Sequence, residues 1–241
     1  MKANYKFLSF LYDLIDVLYF NRKKHSPRTA LLKIIPDESV RVLDVCTGTG
    51  SNSLVIAKNK AGAKITALDL SADMLKIADK KFNKANVGNI KTVDADACDT
   101  GFVNNSFDII LLSLVLHEIE ENLRQAMLNE AKRVLNDNGR IIIIEWEQPK
   151  KLFQRMMFSL IKAMEPKGFK EFLYSDLTAY FQSFGLTIAD KQSCDYSQVL
   201  TLLKNERLPS YISKKPINAR DSENRQCCTG KTKCGSWVIK W

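Results

Sequence analysis

Ten residues decide the fold of this chain: Arg41-Val-Leu-Asp-Val-Cys-Thr-Gly-Thr-Gly50. The apolar and β-branched residues between positions 42 and 45 predict a strand that is buried on both faces. Gly48 and Gly50 predict a sharp turn whose backbone a ligand can approach closely. Asp44 places a carboxylate at the carboxyl end of the strand, which is where open α/β sheets bind their ligands. The stretch therefore predicts a ligand-binding loop at the end of a buried strand.

Helical and strand patterns alternate on both sides of this stretch. They predict an α/β fold: a doubly wound, Rossmann-like sheet of seven strands, mostly parallel, with one antiparallel strand. Ser26 and Ser71 are good N-caps, and Pro27 suits the first position of a helix. The predicted helices cover 27–35, 51–60, 72–84, 122–136, 151–164 and 175–184, the last capped by Ser175. The predicted strands cover 41–46, 64–69, 90–94, 107–113, 140–146 after the turn Asn138-Gly139, 186–190 and 198–203.

The charge of the chain is concentrated at its two ends. The net charge is +9, with +5 in residues 1–34 and +6 in residues 204–241, which leaves −2 for the middle. A core that binds nucleic acid would itself be basic, so this distribution argues against nucleic acid as a partner. Basic ends fit a membrane surface, an anionic partner or solubility. Six cysteines are too few for a secreted disulfide scaffold, and no signal peptide or membrane span is recognisable, so a cytoplasmic location is expected.

Three acidic residues fall at the ends of three successive predicted strands. Asp44 lies near the end of the first strand, Asp69 ends the second, and Asp96 follows the third. In a doubly wound sheet these strand ends lie side by side. Asp69 can accept hydrogen bonds from both hydroxyls of a ribose, and Asp96 can accept one from the exocyclic amine of a base. The loop backbone at 46–50 can meet an amino-acid moiety, so the three acids favour an adenosine derivative as the ligand.

A dinucleotide site is the competing interpretation. Residues 48–53, Gly-Thr-Gly-Ser-Asn-Ser, come close to the G-x-G-x-x-G pattern, with an acidic residue about 20 positions further on. Ser53 replaces the third glycine of that pattern. Asp44 would also set a negative charge near the pyrophosphate, whereas a cationic or zwitterionic ligand is favoured by that charge. Both differences weigh against a nicotinamide-dependent oxidoreductase.

Four motifs in order resemble those of the class I S-adenosylmethionine-dependent methyltransferases, across residues 40–146. They are the strand and loop 42–50, the acidic segment Ala67-Leu-Asp-Leu-Ser71, the pair Asp96-Ala97 with Asn105-Ser-Phe-Asp108, and Arg133-Val-Leu135 with Asn138-Gly-Arg140. Cys46 stands where the common first motif has its first glycine. Within this class the chain resembles the ubiquinone/menaquinone-type methyltransferases and related phospholipid methyltransferases, partly because of Tyr12-Asp13 ahead of the sheet.

The resemblance implies S-adenosyl-L-methionine as the cofactor, S-adenosyl-L-homocysteine as its product, and a role for each matching residue. The loop and its acid would hold the methionine part, Asp69 the ribose, and Asp96 the adenine amine. The residues implied in cofactor binding are Asp44, Cys46, Thr47, Gly48, Gly50, Asp69, Leu70, Met74, Asp96, Ala97, Ser113, Leu114 and Tyr12. Cys46 is expected to be a small spacer rather than a nucleophile, and no metal site is expected.

His117 is the candidate general base. It lies just past the fourth predicted strand, beside the expected methyl-donor edge, and histidine titrates near neutral pH. It could remove a proton from a phenol or an amine. Alternatively, it packs or caps the loop that follows, and the sequence leaves both interpretations open.

We expect three regions: an N-terminal helical lid at 1–36, a methyltransferase domain at 37–204 whose segment 147–184 covers the acceptor, and a basic tail at 205–241. The lid contains an aromatic amphipathic helix at 5–20 followed by Arg22-Lys-Lys24, which would also suit peripheral membrane contact. The cysteines of the tail (Cys227, Cys228, Cys234) could bind a soft metal, although incidental cysteines fit their spacing better.

The predicted function is methyl transfer to an apolar or amphipathic small molecule, quinone-like or lipid-like. A methyltransferase-fold protein that binds the cofactor without catalysis is the first alternative, and an NAD-dependent oxidoreductase is the second. The sequence does not identify the acceptor, the methylated atom or the oligomeric state.

Overall fold

The computed structural model describes residues 26–164 and 168–205. Several expectations fall outside these residues: the helix at 5–20, its basic neighbours at 22–24, Tyr12, and the three cysteines of the tail.

The described residues form seven helices and seven strands. The helices are α1 (Pro27–Ile34), α2 (Ser51–Asn59), α3 (Ala72–Ala85), α4 (Glu121–Val134), α5 (Leu152–Met164), α6 (Gly168–Leu173) and α7 (Leu177–Ser183). The strands are β1 (Val40–Val45), β2 (Ala63–Asp69), β3 (Ile90–Asp94), β4 (Phe107–Ser113), β5 (Leu135–Trp146), β6 (Leu186–Ser193) and β7 (Ser197–Lys204).

All seven strands belong to one sheet with the order β3-β2-β1-β4-β5-β7-β6. The first five strands in that order pair in parallel, and β7 is antiparallel to both β5 and β6. The predicted seven-stranded, mostly parallel sheet with one antiparallel strand is therefore confirmed. Because the chain leaves β1 first toward β2 and later returns to its other side as β4, the switch point of the sheet lies at the carboxyl ends of β1 and β4.

Helices cover the sheet on both faces, so the central strands are mostly apolar, with Asp44 as a buried exception. Leu43 and Leu112 belong to the core on one face, with Phe181 of α7. Val42 and Leu111 belong to the core on the other face, with residues of α1 and α2. The result is a rigid central strand, β1, that carries the ligand loop at its end.

The caps of the helices follow the sequence at two positions and differ at a third. Ser26 and Ser71 cap α1 and α3 as predicted, each accepting a backbone N–H in the first turn. The helix expected from residue 175 begins at Leu177, and its cap is Asp176, which accepts from the backbone of Thr178 and Ala179. Ser175 instead donates its hydroxyl to Phe172 O, 2.7 Å away, just after the additional helix α6.

The strand expected at 140–146 begins at Leu135, so Asn138-Gly139 lies inside β5 rather than in a turn before it. The register against β4 shifts between Phe107 and Ile109, which marks a bulge. A Cβ at Gly139 would lie 2.8 Å from the carbonyl oxygen of Asp108. The glycine is therefore required by the close approach of β4, and the expected helix at 122–136 ends at Val134 because β5 starts immediately afterwards.

Candidate functional site

The ligand loop leaves β1 through three residues with left-handed backbone conformations. The φ angles of Cys46, Gly48 and Gly50 are 55°, 56° and 73°. The N–H of Thr47 donates to the carbonyl of Leu68 on β2 (2.9 Å), and Gly50 N–H closes the turn on Thr47 O (3.0 Å). Gly50 is also the N-cap of α2, so the free N–H groups of this helix point toward the loop.

The two glycines of the loop serve different purposes. A Cβ at Gly50 would collide with the ring of Phe82 and the methyl group of Ala78, both on α3. A Cβ at Gly48 would meet no atom within 4 Å. Gly50 is therefore required for packing, whereas Gly48 faces open space into which a ligand can extend against the backbone.

Asp44 is buried beneath the loop with 2% of its surface exposed. Its Oδ2 accepts hydrogen bonds from the hydroxyls of Ser53 (2.6 Å) and Thr47 (2.7 Å). Burial raises the pKa of Asp44 from 3.8 to about 6, while the two hydroxyls act in the opposite direction. A cation placed above the loop would stabilise the charged form of this carboxylate.

Asp69, at the end of β2, is tied to the same loop. Its Oδ2 accepts the N–H of Gly48 (2.8 Å), and its Oδ1 accepts the N–H of Ser71 (2.9 Å). Burial raises the pKa of Asp69, and these two backbone donors lower it. Because a carboxylate offers about four lone-pair sites, each oxygen can accept one more donor, as a pair of ribose hydroxyls requires.

The remaining predicted cofactor residues lie along the same edge of the sheet. Asp96 accepts the N–H of Cys98 (2.8 Å) in the turn that follows β3, beside the buried Ala97. Leu70, directly after β2, is 41% exposed, and Met74, in the first turn of α3, is 8% exposed. At the end of β4, Ser113 Oγ accepts from Asn52 Nδ2 of α2 (3.0 Å). Leu114 follows with a φ of 54°.

Cys46 is half-buried in the left-handed conformation for which glycine is the easiest residue. Burial raises the pKa of its thiol well above the ordinary value, and the carboxylates of Asp69 and Asp44 raise it further. The thiol is therefore protonated and a poor nucleophile at neutral pH. These properties support the expectation that Cys46 is a spacer in the loop.

His117 forms a buried pair with Glu145, the penultimate residue of β5. The two side chains are 2% and 1% exposed, and Nδ1 of the ring lies 2.6 Å from Glu145 Oε2. The other carboxylate oxygen accepts the N–H of Leu116 at 2.9 Å. The ring also packs edge-on against Phe169, and its Nε2 lies 3.9 Å from Glu118 Oε1. The carboxylate thus fixes the orientation of the imidazole, which is how a general base is held in place.

Three of these partners were not predicted: Ser53, Asn52 and Glu145. Glu145 had a signal in the sequence, because it ends an apolar strand in the same way as Asp44 and Asp69. In the sequence Ser53 is only a departure from a glycine pattern, whereas in the structure it donates a short hydrogen bond to Asp44. Asn52 had no signal, since its contact spans 61 residues.

A cavity of about 310 Å³ lies further along the sheet, past β5. The turn between α6 and α7 forms one wall, and β6 and β7 form another. Its lining contains apolar side chains and an ion pair between Lys191 and Glu147 (2.8 Å). Gln198, 5% exposed, also lines it, and its Oε1 has no hydrogen-bond partner among the residues that the structure describes.

The groups at the loop fit S-adenosylmethionine. The buried carboxylate suits a ligand with an ammonium and a sulfonium group, and the shared carboxylate of β2 suits a ribose diol. The open space at Gly48 lies between them. Direct hydrogen bonds join Thr47 to Asp44 and Gly48 to Asp69. Asp96, just past β3, and Ser113, at the end of β4, occupy the strand ends on either side.

Comparisons with known proteins agree with this geometry. Residues 42–139 match the family model described as "Methyltransferase domain". A demethylmenaquinone methyltransferase of Staphylococcus aureus is 28% identical over 151 residues, which are 62% of this chain and 61% of that protein. A demethylmenaquinone methyltransferase of Bacillus velezensis is 28% identical over 171 residues, which cover 62% of this chain and 72% of that protein. The alignment thus spans less than two thirds of the first of these relatives.

Solved structures share the fold at lower identity. A SAM-dependent methyltransferase from Aquifex aeolicus has a TM-score of 0.65 and 21% identity, over 84% of this chain and all (100%) of its own. A putative S-adenosyl-L-methionine-dependent methyltransferase from Methanococcus maripaludis has a TM-score of 0.65 and 20% identity, over 86% and 97% of the two chains. From its motifs, its sheet order and its matched residues, this chain contains a methyltransferase domain with the class I fold and is similar to the quinone-type S-adenosylmethionine-dependent methyltransferases.

Proposed function

We propose that this chain transfers a methyl group from S-adenosylmethionine to an apolar small molecule that carries an acidic hydroxyl, such as a phenol or a hydroquinone. The observation that carries the proposal is the buried pair of His117 and Glu145, which lies next to the cofactor edge, just past the end of β4. A hydroxyl of this kind must lose its proton to become a strong nucleophile, and an oriented imidazole can accept that proton.

The cofactor would supply a methyl group on a sulfonium, and the acceptor would attack the methyl carbon in line with the carbon–sulfur bond. The loop at 46–50 and Asp44 would hold the amino-acid end, Asp69 would bind the ribose, and Asp96 would bind the adenine amine. Alignment of the two reactants and exclusion of water then account for most of the acceleration, because both act on the approach of nucleophile and methyl carbon.

His117 takes the acceptor's proton on Nε2, while Glu145 accepts from Nδ1–H and stabilises the charged ring. The electron pair left on the acceptor forms the new bond to the methyl carbon. The carbon–sulfur bond breaks at the same time and leaves a neutral thioether. In a hydroquinone the same deprotonation also activates the ring carbon beside the oxygen. Once that carbon has taken the methyl group, it loses its own proton to solvent and the ring regains aromaticity, so the proposal covers oxygen and carbon acceptors.

The substrate class is supported by two independent features. The relatives quoted above are named for a quinone precursor. The lining of the cavity past β5 is mixed, with Leu173, Leu177, Ile188 and Leu200 among polar side chains, which suits a molecule with an apolar body and polar substituents. Its wall includes residues 173–178, so the proposal assigns the segment 147–184 to acceptor binding and the domain to 37–204.

The decisive experiment measures formation of S-adenosylhomocysteine with a panel of phenols and hydroquinones, using the wild type and Glu145→Gln. We expect the turnover of the variant to fall by about 10²–10⁴, the usual contribution of a general base. The loss should shrink at high pH, where the acceptor ionises without help. The matched control is Glu130→Gln, a buried carboxylate that bonds to Thr100 and Arg133 and not to His117, and its turnover should stay near that of the wild type.

Cofactor binding separates the alternatives. Tight S-adenosylhomocysteine binding with no turnover on any acceptor would favour a protein that binds the cofactor without catalysis. Binding of NAD in place of S-adenosylhomocysteine would favour an oxidoreductase. Turnover of Glu145→Gln within threefold of the wild type at every pH would remove the histidine pair from the mechanism.

A further inference from the structure

The first turns of α5 expose large apolar side chains on the surface. Leu152 is 83% exposed, Phe153 68% and Met156 60%. Because positions 152, 153 and 156 are separated by one, three and four residues, they lie on one side of the helix. We call these three residues the α5 patch. Exposed hydrophobic residues that are scattered singly need no explanation, but a contiguous group indicates an interaction surface.

The helix is held to the protein by its opposite side. Phe158 is fully buried and packs against Trp146, with 5.9 Å between ring centroids, and against Phe169 at 6.3 Å. On a helical projection Phe158 lies roughly opposite the centre of the α5 patch. The patch is therefore turned away from the core by the packing of the helix, so its exposure follows from the fold.

Cations surround the α5 patch. Lys150, Lys151 and Arg155 are all exposed, and the first turn of the helix contains no acidic residue. The acidic groups facing this part of the chain are Asp195, 3.3 Å from the amide of Gln154, and Glu147, which already pairs with Lys191. A surface with apolar residues at its centre and lysines and arginine around them is complementary to an anionic lipid surface.

We infer that the α5 patch and its flanking cations dock this protein on the surface of an anionic membrane. The helix lies in the interface, since none of the helices within residues 26–164 and 168–205 is both long and apolar enough to cross a bilayer. Docking also positions the cavity past β5. Tyr174, which lines that cavity, is 62% exposed and accepts a hydrogen bond from Lys162 of α5 at 2.8 Å. This hydrogen bond ties the wall of the cavity to the docked helix.

The test is flotation of the full chain with phosphatidylcholine vesicles that contain or lack phosphatidylglycerol. We expect binding to the anionic vesicles at low salt, weakened by salt. The variant Lys150→Glu/Lys151→Glu should bind at least tenfold less, because each lysine near the surface contributes roughly a fivefold gain. The triple variant Leu152→Ser/Phe153→Ser/Met156→Ser should lose a similar factor at constant charge.

The matched control is Val103→Ser, since Val103 is 76% exposed but lies in the loop before β4, at the opposite edge of the sheet. It should float like the wild type. Because these changes are on exposed side chains, circular dichroism should show the same thermal unfolding for all variants. The inference is overturned if the wild type does not bind anionic vesicles. It is also overturned if both α5 variants float like the wild type, which would assign binding to the basic ends of the chain. Since flotation requires no turnover, the result is independent of the proposed methyl transfer.

Discussion

Replacing Asp44 by Asn separates the free-energy cost of burying this carboxylate from its use in binding a cation. The substitution keeps the shape of the side chain, and the amide oxygen can still accept from Ser53 and Thr47. It removes the negative charge of a residue that has only 2% of its surface exposed to solvent. We therefore expect the variant to be more stable without cofactor and weaker in binding it.

The magnitude follows from the pKa. Burial raises the pKa of Asp44 from 3.8 to about 6, and one pKa unit corresponds to about 1.4 kcal/mol, so ionising the folded state costs about 3 kcal/mol more than ionising the unfolded state. Because the folded pKa is the higher one, the folded protein retains the proton between these two values. The contribution of Asp44 to stability therefore decreases as the pH rises from about 4 to about 6, and the decrease is complete above that range.

The assay is urea unfolding of the cofactor-free protein, wild type and Asp44→Asn, at about pH 8 and about pH 4. At the higher pH the variant should be more stable by about 1–3 kcal/mol, and at the lower pH the two proteins should be equally stable. Calorimetry should show the opposite order for S-adenosylmethionine, with affinity at least tenfold lower in the variant. Cofactor binding by the wild type should weaken as the pH falls below about 6, because binding a cation requires the charged carboxylate.

The reasoning is refuted if Asp44→Asn is less stable than the wild type at the higher pH, or if its effect on stability does not change with pH. Either outcome would mean that the hydrogen bonds to the carboxylate outweigh its desolvation. Unchanged affinity for S-adenosylmethionine would remove Asp44 from the cofactor site.

Two further pairs of substitutions test the loop and the packing of α5. Gly50→Ala should destabilise the protein by roughly 3 kcal/mol or more, since a Cβ collides with Phe82. Gly48→Ala should lower the stability by only about 1 kcal/mol but weaken S-adenosylhomocysteine binding at least tenfold. Equal binding by Gly48→Ala and the wild type in calorimetry would contradict the open approach at Gly48. Phe158→Ala should lower the free energy of unfolding in urea by about 3–5 kcal/mol, because it leaves a cavity at a fully buried site. Phe153→Ala should change it by less than about 0.5 kcal/mol. Similar effects of the two substitutions would contradict the assigned orientation of the helix.

Local sequence signals were sufficient to predict the structure where it depends only on the residues of one segment. Ser26 and Ser71 cap their helices, and the strands around Asp44 and Asp69 have nearly the predicted bounds, because capping and burial depend on near neighbours in sequence. The prediction was wrong where two local signals compete. Ser175 and Asp176 are both good caps, and the choice was decided by α6, whose carbonyl at Phe172 accepts the serine hydroxyl.

Long-range pairing was the part that the sequence left open. Asn138-Gly139 has the composition of a turn, yet it lies within β5 because β4 approaches closely enough to exclude a side chain at Gly139. The two residues and their neighbours in sequence carry no signal of that approach.

The sequence by itself determined the class of sheet, the loop at its switch point and the acids along that edge, since alternating patterns and strand-end carboxylates are properties of short segments. Only the tertiary structure decided that Ser53 bonds to Asp44, that Glu145 orients His117, and that α5 presents its apolar side outward. The physical reason is the same in each case. A side chain's partner is set by which strands and helices become neighbours, and that depends on the packing of the whole domain rather than on the residues beside it in the chain.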